Sequence, residues 1–118
     1  MIGYGNSAAT CEDVAGLLAL TEDADPKERV RALRSLCPCH LRRDISAVWD
    51  RVIALAHDPD ARVRRHVLHT LGDGSPNARR DEVVHAIGVL AQDADERIRR
   101  RARGVLAAFR RTGRINVL

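Results

Sequence analysis

Three acidic turns recur along the chain, and no other feature restricts its fold so tightly. Residues 20–31, 55–64 and 90–99 each read as an apolar helix end, an acidic turn, then Arg-Val-Arg or Arg-Ile-Arg opening a new helix. Leu20, Leu55 and Leu90 are spaced by 35 residues. Matching Val30 with Val63 and Ile98 gives spacings of 33 and 35, so the first turn is read as two residues longer. That alignment makes Arg31, Arg64 and Arg99 equivalent. A fixed period of this length means stacked supersecondary units, because one hairpin cannot bury its apolar face alone.

The turns have chemistry suited to starting helices. Asp25-Pro26 and Asp58-Pro59 offer a capping carboxylate followed by a proline whose missing N–H costs nothing at the first helical position. Asp25 with Glu28, and Asp93 with Glu96, have capping-box spacing. Apolar stripes of helical period flank each turn: Val48, Trp49, Val52 and Leu55 before the second, and Val63, Val67 and Leu71 after it. Pro38, Gly72 and Gly113 supply stops. The expected fold class is all-α: a right-handed α-α superhelix of three helical hairpins. Its six helices are expected at roughly 11–21, 26–37, 44–57, 59–71, 76–92 and 94–111. Repeats then span about 11–40, 44–74 and 76–111 of one domain, 11–112, with a flexible segment at 1–10 and a tail at 113–118. The tail's Ile115 and Val117 are expected to fold back over the last hairpin. In the first repeat Arg34 falls where Val67 and Ala102 serve the core, which marks that repeat as an atypical cap.

These residues resemble the HEAT-repeat superfamily, in particular the short bacterial HEAT-like repeats also found in phycobilin lyases. The likeness rests on residues 58–65 with Leu71-Gly72, on 93–100 with Leu106, and more loosely on residues 23–26 with Val30-Arg31. It implies a curved solenoid whose second helices line a concave binding face. Scaffolds, chaperone-like lyases and a few DNA glycosylases share it, so the resemblance does not select a function.

Charge is the main functional lead. Residues 1–60 hold seven Lys/Arg against ten Asp/Glu, whereas residues 61–118 hold thirteen against six. The expected partner-binding set is Arg31, Arg64, Arg99, Arg103, Arg110 and Arg111. Guanidinium groups arrayed across repeats suit an acidic protein segment or, alternatively, nucleic-acid phosphates. The competing explanation is a solvated face whose arginines pair with acids such as Asp60, Asp93 and Asp95. Aromatic residues are 3% of the chain, which argues against base-stacking surfaces.

Other constellations are weaker. Cys37-Pro38-Cys39-His40, with Cys11, offers four soft ligands to a metal, or a redox thiol pair, which suits a metal or redox protein or an enzyme accessory; Cys37 also fits the core stripe. His66 and His69 have chelating spacing but lie off the apolar stripe, and are expected on the surface. Gly-x-Ser-x-Gly, phosphate-binding and dinucleotide motifs are missing from the sequence, so no catalytic residue and no cofactor is expected. No apolar run reaches the length of a bilayer span, and the first residues do not read as an export signal. The expected state is cytoplasmic, monomeric or dimeric through an open end of the stack.

Overall fold

The computed structural model describes residues 11–37 and 45–115, with side chains from Asp13 onward. Six α-helices follow one another: α1 (Cys11–Leu20), α2 (Pro26–Leu36), α3 (Ser46–Ala54), α4 (Ala61–Gly74), α5 (Arg80–Leu90) and α6 (Glu96–Thr112). Short 3-10 turns at Leu55–His57 and Asn77–Arg79 extend α3 and lead into α5. Among the described residues there is no strand. Each odd helix packs antiparallel-hairpin fashion on the next even one, and neighbouring hairpins touch in chain order. The second helices form one layer, α2 on α4 and α4 on α6, while α3 meets α5 in the other.

Local chemistry fixes the second-helix starts. Asp25, Asp60 and Asp95 each hold an extended N-cap conformation and accept the amide of the residue two places on. The second and third caps differ from the expected Asp58 and Asp93. Pro59 therefore lies in the turn, and α4 begins two residues later than its proline suggests. The expected Asp93/Glu96 box does not form, since Asp95 is the cap; Glu96 pairs with Arg100 at 2.8 Å. At the far end Gly113 takes φ +74° and returns its N–H to the Phe109 carbonyl, a left-handed cap that costs a side-chain-bearing residue far more.

The caps show that the three units are spaced by 35 residues throughout, with no longer first turn. Asp25, Asp60 and Asp95 are equivalent, and so are Arg29, Arg64 and Arg99. Arg31 thus corresponds to His66 and Arg101, not to Arg64. The supposed defect at Arg34 disappears with the correction. The core position of Val67 and Ala102 belongs in the first unit to Ala32, and all three are fully buried.

The interior is continuous across all three units. Leu33, Leu36, Val52, Val63, Leu68, Leu71, Ile87, Leu90 and Ile98 are essentially inaccessible, and Trp49 is buried among them. Ile115 is buried against the same cluster, so the start of the tail does fold back; residues 116–118 lie outside the described residues.

Candidate functional site

Two ion pairs stitch the second-helix layer together. Arg29 donates from Nε and Nη2 to both Asp58 oxygens, each at 2.9 Å. Arg64 does the same to Asp93, at 2.7 and 3.0 Å. Each arginine also donates back to the turn of its own unit, Arg29 to the Asp23 carbonyl and Arg64 to that of Asp58, both at 2.8 Å. Arg99 keeps this inner bond, to the Asp93 carbonyl at 2.8 Å. The carboxylates in turn hold the next cap: Asp58 accepts the Asp60 amide and Asp93 the Asp95 amide.

These contacts set the electrostatics. Burial alone would raise the Asp93 pKa, but the Arg64 hydrogen bonds, the Asp95 amide and the charges of Arg64 and Arg99 outweigh it and hold it low. Asp60, bound by the Arg62 side chain and amide, drops to about 2. The hydrogen bonds that Arg64 donates to Asp93 raise it above the ordinary arginine value despite burial.

The expected arginines therefore separate into three groups. Arg64, largely enclosed, belongs to the ladder between units, and Arg99 fastens its own turn. Arg103 occupies the position that Leu33 and Leu68 fill as buried stacking residues in the earlier units, yet it is exposed and donates Nε to the Ala91 carbonyl at 3.0 Å. With Arg110, the counterpart of buried Ser75, it covers the outer side of the last hairpin with charge. Arg31 and Arg111 face solvent, Arg31 paired with Glu28 on the same helix.

The corrected register reveals a basic face that the sequence alignment missed. Equivalent exposed positions are Lys27, Arg62 and Arg97 in one row, and Arg65 and Arg100 in a second. A third runs through Arg31, half-buried His66 and exposed Arg101. Among the described residues no acid pairs with Lys27, Arg65, Arg97 or Arg101, whereas Asp60 engages Arg62 and Glu96 engages Arg100. His66 is pushed below the ordinary imidazole value by burial, then by the neighbouring charges of Arg34, His69 and Arg65.

A second cluster joins the first two units. Cys37, buried at the end of α2, lies with His69 and Asp73 of α4 so that one donor atom from each falls within 4.8 Å of the others. His69 is on the surface, as expected. Cys39, His40 and the Cys11 side chain lie outside the described residues. No described helix is long and apolar enough to cross a membrane.

A family model for HEAT repeats matches residues 14–106. No curated protein and no solved structure matches the chain. Repeats of this family commonly act as protein-interaction scaffolds and are generally non-catalytic. With the match spanning three stacked hairpins whose turns are bonded to one another, the chain belongs to the HEAT repeat family.

Proposed function

We propose that the protein is a non-catalytic adaptor that holds an acidic protein segment along the exposed side of its second helices. The observation that carries this reading is the run of exposed basic residues at equivalent positions of α2, α4 and α6, several without an acidic partner among the described residues. Arg31, Arg65, Arg101 and Arg111 are assigned direct contacts, with Arg103 and Arg110 at the edge. Arg64 and Arg99 act by fixing the spacing of the helices that present them.

A protein partner is favoured over nucleic acid because acids are interspersed on this side. Glu28, Asp60 and Glu96 each neutralise a neighbouring arginine there. A phosphate track would pay repulsion at every one, while a protein segment of mixed polarity matches alternating charge. We assign the chain to the short bacterial repeats that residues 58–65 resemble, those of phycobilin lyases included, and take the cytoplasm as its compartment.

The test compares a fluorescent, net-acidic peptide of glutamates interspersed with lysines with a DNA duplex of similar length in anisotropy titrations across a salt series. Saturable peptide binding that weakens about tenfold or more in the double variant R65E/R101E supports the reading, each lost charge-assisted contact costing about 1 kcal/mol or more. Tight duplex binding with a steep salt slope, and no peptide binding, would replace it with phosphate recognition.

A further inference from the structure

We infer that Cys37, His69 and Asp73 form a binding site for a borderline-soft divalent cation, zinc above all, between the first and second repeats. Three unlike donors converge there: a thiol, an imidazole and a carboxylate, all mutually within 4.8 Å. Tetrahedral zinc with its usual bond lengths needs donor-to-donor separations of about 3.3–3.6 Å, so small side-chain rotations suffice. The Cys37 Sγ already stands 3.7 Å from the nearer Asp73 oxygen.

The fold supplies this arrangement from two directions. His69 and Asp73 are four residues apart on α4, one turn, and so project from the same side. Cys37 is the C-cap of α2, where the chain leaves the helix in extended conformation and the thiol turns toward α4. The burial pattern suits a metal as well. The thiol is enclosed, Asp73 is half-buried and His69 is open to solvent, which leaves a route of entry beside a dry sulfur.

The donor set selects the ion. A thiolate and an imidazole exclude magnesium and calcium, which require oxygen ligands in larger number. The thiolate and carboxylate together balance a 2+ charge. Three protein donors leave one tetrahedral position for an exchangeable ligand. Because the donors come from different repeats, bound metal ties α2 to α4 and favours the folded state.

The experiment titrates the reduced, metal-free full chain with Co2+ and follows absorbance. One equivalent should give a thiolate-to-cobalt charge-transfer band with visible bands of tetrahedral strength, both abolished by stoichiometric Zn2+. H69A and D73N alter partly or fully exposed positions, keep the helical circular dichroism, and should each weaken Co2+ binding by at least about tenfold. C39S, which leaves the three donors in place, should keep the band. No charge-transfer band, a band that survives H69A and D73N in folded protein, or one lost in C39S would each overturn the assignment.

Discussion

Arg64 and Asp93 lie 29 residues apart in sequence and meet in a two-point contact, Nε to Oδ2 at 2.7 Å and Nη2 to Oδ1 at 3.0 Å. Arg29 and Asp58 repeat that relationship one unit earlier. Both pairs are mostly shielded from water, so their parallel hydrogen bonds are stronger than those of an exposed pair, although the desolvation of both ions offsets much of the gain.

Breaking one rung should therefore cost more than an ordinary surface substitution. R64K keeps the charge but not the planar fork, and D93N keeps the shape but not the charge. Each is expected to lower unfolding stability by about 1–3 kcal/mol in urea denaturation. The double variant should cost clearly less than the sum, because the two residues act on one another. Additive losses would mean that the contact contributes nothing to stability.

Stability should fall in two steps as the solution is acidified. His66 has a folded pKa below its ordinary value, so the unfolded chain takes up its proton first. Its contribution is complete above about pH 6.5 and declines as pH falls below that. The second step belongs to Asp93 and Asp60, both held low in the folded protein, Asp60 to about 2. Their contribution is present above about pH 4 and is lost as pH drops through the folded values. Urea midpoints measured from pH 8 to pH 2 should show both steps. H66Q should remove the upper step alone, and D60N should shallow the lower one.

Arg103 stands where the other units use leucine to receive a neighbour. Restoring the apolar residue with R103L should expose a stacking surface and produce concentration-dependent dimers in light scattering, with the wild-type chain less associated at the same concentration. The reverse change, L68R, places a charge at a fully buried position between units and should unfold the protein. An R103L chain as dispersed as the wild type would show that this end does not support stacking.

The hairpin order, the helix count and the core residues Trp49, Val63, Val67 and Ile98 were legible from periodicity and turn residues alone. Register in the first unit was not. Two prolines, Pro26 and Pro59, look alike in sequence, yet only Pro26 occupies the first helical position. Aligning them shifts the first helix by two residues, which exchanges its bonded Arg29 for its solvated Arg31. The strict spacing of Asp23, Asp58 and Asp93, and of Arg29, Arg64 and Arg99, carried the correct register. The Cys37, His69 and Asp73 group was hidden for another reason: 32 residues separate its first two members, and only stacking brings them together.

The rungs also have a direction. Each guanidinium reaches forward to the following turn while its own turn's carboxylate receives the one behind, so every internal unit is both giver and receiver. Such a rule sets the pitch of the stack but not its length. A block of 35 residues, cut out or duplicated at matching points, would leave every remaining giver facing a receiver.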